Sequence, residues 1–282
     1  MRRISYSSLA FVIVGAGLLW AAIASADPRT CPGFTPTPTS AALFLREFND
    51  CPSSSLSSVN GYPAVIQIDD LNVDCIGGAN LHSWNFSTDG TTTATFENCS
   101  VYRYCADVTL NSTGAGGGEG GLKVWPWWNA PHYAVDGRFM INSASGEIAC
   151  FGGRLPFYSF TNAYGLHYVK GQTAHMEIIY DPNQLGDPPG APPATITYKL
   201  QLPGGPLYSS PPINFDQGNV SEAPVHGSWG ELNAVGVGGY MQHGSDGTSK
   251  DFHATWQNIC FYNDRPVPVR NGTWGSLKTL YR

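Results

Sequence analysis

Apolar and polar residues alternate with a period of two over several stretches. Ala194, Ile196, Tyr198, Leu200 and Leu202 fall on one face of a segment whose other face carries Thr195, Thr197, Lys199 and Gln201. Successive side chains of a strand point to opposite sides, so this segment predicts a strand with one buried and one wet face. Thr173 to Tyr180 repeats the pattern, with Ala174, Met176, Ile178 and Tyr180 inward and His175 and Glu177 outward. Phe252 to Phe261 alternates with Trp256 and Cys260 on one side. Pro63 to Ile68 and Thr91 to Phe96 are shorter β-prone runs. One segment reads differently: Ser40 is placed to cap a short helix from Ala41 to about Phe48, with Leu45 and Phe48 on one side.

Turn chemistry separates the runs. Asp89-Gly90, Asp136-Gly137, Gly152-Gly153 and Asp246-Gly247 supply residues that tolerate positive φ. Asp181 to Pro193 contains five prolines and predicts an extended exposed loop. Gly114 to Gly121 is glycine-rich, but no Lys-Ser/Thr follows, which excludes a phosphate loop. Many short strands joined by such turns predict an all-β fold, a two-sheet antiparallel β-sandwich or a barrel, with a short helical N-terminal lead-in. The expected organisation is a signal peptide (1–26), a cysteine-bracketed segment (27–60), a sandwich (61–262) and a C-terminal tail (263–282).

The N-terminus adds a compartment. Arg2 and Arg3 precede an apolar stretch from Leu9 to Ile23, and Ala24-Ser25-Ala26 offers small residues where a signal peptidase cuts. This is the layout of a secretory signal peptide cleaved after Ala26. The apolar stretch is shorter than the ~20 residues of a membrane span, so no transmembrane anchor is expected after cleavage, and the product is expected outside the cell or on its surface. The net charge of −6 becomes more negative once Arg2 and Arg3 are removed. With no basic run, nucleic acid is excluded as a partner.

Seven cysteines follow the signal: Cys31, Cys51, Cys75, Cys99, Cys105, Cys150 and Cys260. In an oxidising compartment they are expected to pair, and the odd number leaves one over. The expected bridges are Cys31–Cys51, stapling the N-terminal segment, and Cys150–Cys260. No C-x-x-C pair is present, so a zinc or thioredoxin-type centre is not indicated.

From about Tyr62 to Phe261 the chain resembles bacterial secreted proteins with a concanavalin A-like (laminin G-like) jelly-roll domain. The likeness is carried by Glu119 to Trp128 (EGGLKVWPWW), Asp136 to Phe139 (DGRF), Gly146 to Phe157 (GEIACFGGRLPF), His226 to Gly230 (HGSWG) and Val237 to Tyr240 (VGGY), in that order. The resemblance implies two packed antiparallel sheets with a concave face. In that superfamily this face or its rim often binds glycans, sometimes with calcium, and some members are glycoside hydrolases.

Trp125, Trp127, Trp128 and Tyr133 are the densest aromatic cluster, with Asn129, His132 and Asp136 beside them. Sugars stack their C–H faces on aromatic rings and hydrogen-bond through their hydroxyls, so these seven residues are the expected carbohydrate-binding site. Packing within the sandwich is the alternative reading of the same tryptophans. No catalytic residues are assigned. The Glu-x-Asp-x-Glu strand of retaining glycosidases of this architecture is missing, and Glu119, Glu147, Glu177, Glu222 and Glu231 stand apart in sequence. Asp70, Asn72 and Asp74 would share one face of a strand, either a calcium ligand run or a solvated polar edge. An EF-hand is excluded by Cys75 and Leu81. The expected function is a secreted, non-catalytic module binding glycan or cell-envelope polymer. A structural or adhesive surface protein, and a glycoside hydrolase or polysaccharide lyase of the same fold, are the alternatives.

Overall fold

The computed structural model describes residues 37–97, 101–113, 117–125, 137–152, 155–181, 195–214 and 234–263. They form two antiparallel sheets. The first runs β1 (Ser40–Asn49), β4 (Ile76–Ser87), β15 (Ala234–Asp246), β7 (Gly118–Trp125), β8 (Gly137–Asn142), β9 (Ile148–Phe151) and β10 (Tyr158–Ser159), with β5 (Phe96–Glu97) paired onto β15. The second runs β13 (Leu207–Ser209), β12 (Thr195–Gln201), β11 (Thr173–Asp181), β6 (Tyr102–Ser112), β16 (Lys250–Tyr262), β3 (Val65–Val73) and β2 (Ser55–Gly61), with β14 (Ile213–Asn214) on β12. The one helix among the described residues, α1 (Phe160–Tyr164), is a single turn, capped by the Ser159 hydroxyl and ended by Gly165 at φ 67°. No helix among the described residues is long and apolar enough to cross a membrane.

Period-two patterning packs these sheets face to face. Trp84 and Phe86 of β4, Leu122 and Val124 of β7, and Val237 and Met241 of β15 meet Tyr104, Ala106 and Val108 of β6, Met176 and Ile178 of β11, and Trp256 of β16. Each large side chain so buried contributes about 1.5–3 kcal/mol. Trp84 and Trp256 meet edge to face across the sheets, ring centres 6.1 Å apart. Gly239 makes room for both: a Cβ there would sit 2.4 Å from the Trp84 indole nitrogen and 2.6 Å from that of Trp256.

Both clear alternations hold. Ile196, Tyr198 and Leu200 are inward on β12, and Ala174, Met176, Ile178 and Tyr180 on β11, while Ala194 lies outside the described residues. The lead-in departs from expectation. Residues 41–48 are strand, not helix, because pairing with β4 buries Ala41 and Ala42, and tertiary packing outweighs local helix propensity. Segment 40–61 therefore supplies an edge strand to each sheet. A bulge with Arg46 at φ 60° interrupts β1.

The expected bridges are corrected. Cys51 pairs with Cys75 and Cys105 with Cys260, while Cys150 is a buried free thiol. Strand β1 delivers Cys51 to the β3–β4 turn, where Cys75 lies, so it is not held for Cys31, which is outside the described residues. A second bulge, with Asn258 at φ 50°, reverses the phase of β16. Trp256 points inward, but Cys260 pairs across the register with Cys105, whose neighbours Tyr104 and Ala106 are the inward residues of β6. Cys150 belongs to the core, contributed by the other sheet, so a Cys150–Cys260 bridge has no geometry.

Two outcomes test this packing. Gly239→Ala is expected to cost about 1–3 kcal/mol by overpacking, read as a lowered urea midpoint; an unchanged midpoint contradicts the indole arrangement. Non-reducing peptide mapping is expected to recover 51–75 and 105–260 bridged peptides. Burial pushes the Cys150 thiol well up, so Cys150 should resist alkylation until the chain unfolds.

Candidate functional site

A buried polar cluster joins the sheets at one end of the core. Asp70 of β3 turns inward and is fully buried. Its Oδ2 accepts hydrogen bonds from Asn80 Nδ2 at 2.7 Å, His243 Nε2 at 2.9 Å and His82 Nε2 at 3.0 Å. Burial alone would raise this carboxyl, but the bonds from His243 and His82, with Ser54 and Asn80 adding to them, hold it well below the usual carboxylate range. Asp70, His82 and His243 offer ligand atoms within 4.8 Å of one another, a spacing that suits a cation. The donor set argues otherwise. The Arg46 backbone N–H donates to His82 Nδ1 at 3.0 Å, so the proton of that ring sits on Nε2, facing Asp70. The Cys51 N–H donates to Asn80 Oδ1 at 3.0 Å, which turns the Asn80 amino group toward the same oxygen. Backbone groups thus fix two of the three partners as donors. His82 and Asn80 therefore face Asp70 Oδ2 as donors and do not aim lone pairs at a metal, while Asp70 Oδ1 has no hydrogen-bond partner among the described residues.

The second polar cluster lies on the first sheet, on the side away from the core. Alternation puts Ser83 and Asn85 (β4), Tyr240 and Gln242 (β15), Glu119 and Lys123 (β7) and Arg138 (β8) on that side, between the core residues named above. Glu47, just past the β1 bulge, joins them. Ser83 Oγ donates to Glu47 Oε1 at 2.8 Å, and Lys123 Nζ lies 3.5 Å from the same oxygen. The lysine and the glutamate meet across the two intervening strands. Arg138 Nη1 donates to Glu119 Oε1 and to Gln242 Oε1, each at 2.7 Å, and its guanidinium lies over the Tyr240 ring, 5.0 Å from the centre. An outward sheet face ordinarily meets water, but Ser83, Asn85, Lys123 and Tyr240 are all buried. A buried, paired lysine outside the core is costly to arrange and, with the partly covered ion pair beside it, marks this face as the candidate site.

The outer face of the second sheet is wetter. His175 Nδ1 lies 2.7 Å from Asp107 Oδ1, Lys199 Nζ donates to Glu177 at 3.1 Å, and His253 Nδ1 lies 2.8 Å from Asp69. Glu177 raises the His175 pKa; partial burial opposes this and Asp107 adds to it. The arrangement is that of partly solvated ion pairs, each contributing little.

Of the residues expected to bind sugar, Trp125 is the last of β7, two positions beyond Lys123. Trp127, Trp128, Asn129, His132, Tyr133 and Asp136 lie outside the described residues. The Asp70–Asn72–Asp74 run is not arrayed on one face: Asp70 is inward, Asn72 is at φ 56°, Val73 is buried, and Asp74 accepts from the Ser53 hydroxyl. Glu119, Lys123, Arg138 and Tyr240 all fall within the motifs that carried the resemblance, but only pairing in space singles them out. Glu47 was hidden by the helix expected over its segment.

No protein-family model matches the chain, and no curated protein matches it in sequence. Among solved structures it is similar to the Lotus tetragonolobus seed lectin, at 10% identity and a TM-score of 0.43, covering 83% of this chain and 97% of that one. Lectin II from Ulex europaeus matches at 9% identity and TM-score 0.43, covering 81% and 95%. The PL-14 alginate lyase from Aplysia kurodai matches at 9% and 0.38, covering 74% and 87%. Neither a bacterial source nor a laminin G-like relationship follows from these similarities. The two-sheet sandwich itself rests on the strand pairing described above.

Asp70→Asn removes a buried anion from its donors and is expected to cost about 3 kcal/mol at neutral pH. Because the folded pKa of Asp70 is depressed, its contribution is complete above the ordinary aspartate value of about 3.9 and is lost as pH falls below it. The gap in melting temperature between wild type and variant should therefore narrow below about pH 4; a gap that stays constant down to pH 2 sinks this account.

Proposed function

We propose that the protein is a secreted carbohydrate-binding module whose ligand lies along the outward face of the first sheet. The observation that carries this reading is the two ion pairs there, Glu47–Lys123 with its lysine buried and the partly exposed Glu119–Arg138, set among Ser83, Asn85, Tyr240 and Gln242. A glycan needs many fixed polar partners and an aromatic surface. Strand β7 supplies Glu119 and Lys123 and then runs on into Trp125, so Trp125, Trp127, Trp128, Asn129, His132, Tyr133 and Asp136 are proposed as the aromatic rim of the same site. Calcium, where it takes part, belongs to that rim and not to the Asp70 cluster, whose histidine and asparagine face the carboxylate as donors. Cell-envelope polysaccharide is the proposed natural partner.

A second reading has one observation in its favour: Glu47 and Glu119 are two carboxylates on one sheet face, as a glycoside hydrolase requires. Retention of the protein on an insoluble polysaccharide panel, tenfold or more weaker for Arg138→Ala and for Trp127→Ala, is the expected outcome, with no reducing-sugar release. Retention on none of the polymers would remove the proposal. Sugar release abolished by Glu119→Gln would replace it with the hydrolase.

A further inference from the structure

Resting on that reading, we infer that Glu119 and Gln242 form a subsite for the vicinal diol of a neutral sugar. The two residues stand directly opposite each other on β7 and β15. Arg138 Nη1 donates to Glu119 Oε1 and to Gln242 Oε1, each at 2.7 Å, so these two oxygens lie no more than twice that distance apart. Tyr240 Oη also donates to Glu119 Oε1, at 3.4 Å, and its ring faces the guanidinium. One end of each head group is therefore held in place from within the protein.

The other end of each is open. A guanidinium only donates, so the Gln242 amide is fixed with Oε1 toward Arg138 and Nε2 turned away from it. Gln242 Nε2 and Glu119 Oε2 make no hydrogen bond among the described residues, and neither is sealed from solvent. The Glu119 side chain is 21% exposed, and Gln242 is partly exposed. Two residues on along each strand the same face carries only glycine, Gly117 before Glu119 and Gly244 after Gln242. Gly244 is exposed, and a Cβ placed there would meet only the Gly78 carbonyl, at 3.8 Å. With Lys250 and Phe252 these glycines line a cleft at this end of the sheet. A sugar ring thus has an unobstructed approach to both open atoms.

Chemistry selects the class of ligand. Glu119 Oε2 accepts and calls for an O–H donor, while Gln242 Nε2 donates and calls for an oxygen lone pair. Two adjacent hydroxyls meet both demands at once, one donating to the carboxylate and the other accepting from the amide. Because Arg138 fixes acceptor and donor beforehand, little side-chain freedom is lost on binding. A uronate or sulfate would bring negative charge against Glu119 Oε2, and the Arg138 cation already faces that glutamate. Anionic sugars are therefore disfavoured at this pair.

The test is calorimetric titration of the mature chain with neutral oligosaccharides (gluco-, manno- and galacto-configured), with the same oligomers after periodate cleavage of their vicinal diols, and with alginate and polygalacturonate oligomers. Neutral oligomers should bind and their cleaved forms should not. Glu119→Gln turns the open acceptor into a donor, and Gln242→Glu turns the open donor into an acceptor, while each keeps an oxygen for Arg138. Each should lower affinity at least tenfold, and the double exchange should recover most of it, because a hydroxyl serves in either sense. Ser57→Ala on the opposite sheet should change nothing. Thermal melts with and without sugar separate subsite from fold: a variant that melts like wild type alone but gains less from sugar has lost only the subsite. Undiminished affinity in both single variants, or equal binding of the cleaved oligomers, overturns the subsite. Binding of uronate oligomers alone overturns it too, while leaving the carbohydrate-binding reading in place. Binding of no sugar of any class removes both.

Discussion

A single carboxylate ties the sandwich together at one end. Asp70 stands on the second sheet, and its three N–H partners stand on two strands of the first. The cost of taking an ion out of water is several kcal/mol, and the three N–H donors gathered on one oxygen, Oδ2, offset it. That requirement propagates outward. Arg46 must bulge to offer its N–H to His82, and Cys51 must sit where its N–H orients Asn80. The Arg46 side chain then caps the carbonyls of Cys51 and Ser54. The same bulge precedes Glu47, so the hub that closes the inside of the sandwich also sets the position of a residue on its outside.

The two outer faces use similar residues to different ends. On the second sheet, His175, Asp107 and Lys199 remain in contact with water around a buried Glu177, and the water screens them and lets them adjust. On the first, Glu47, Lys123, Glu119 and Arg138 are largely withdrawn from it. Electrostatic interactions there are stronger, and each partner is correspondingly less free to be replaced. Sites that recognise a polar ligand need that rigidity, since a partner fixed in advance loses little entropy on binding.

Local alternation made much of the fold legible. Strands β11 and β12 follow it residue by residue, since no bulge interrupts them and each buries one face. Alternation failed where a single residue breaks phase. At Arg46, Asn72 and Asn258 the backbone adopts positive φ without glycine, and nothing in composition marks those positions. The misplaced partner of Cys260, the supposed calcium run and the hidden Glu47 all lie within a few residues of one of these breaks. Ala-Ala-Leu-Phe-Leu-Arg-Glu has the helix formers of an amphipathic turn, and only the neighbouring strand β4 decides against it. On the candidate face, Glu119, Lys123, Arg138 and Tyr240 stand in the stretches that carry the resemblance, but nothing local in the sequence marks them as partners. The pairing of Lys123 with Glu47 spans strands far apart in sequence and could not be read locally.

The kink at Asn258 carries an evolutionary consequence. Downstream of it, Ile259 faces the core and Cys260 the outside. Loss of one residue in this short stretch would exchange them, stranding a sulfur among aromatic rings and pushing an isoleucine into water. Drift at this point should therefore accept changes of residue type far more readily than changes of length, and related chains should differ here in letters but not in spacing.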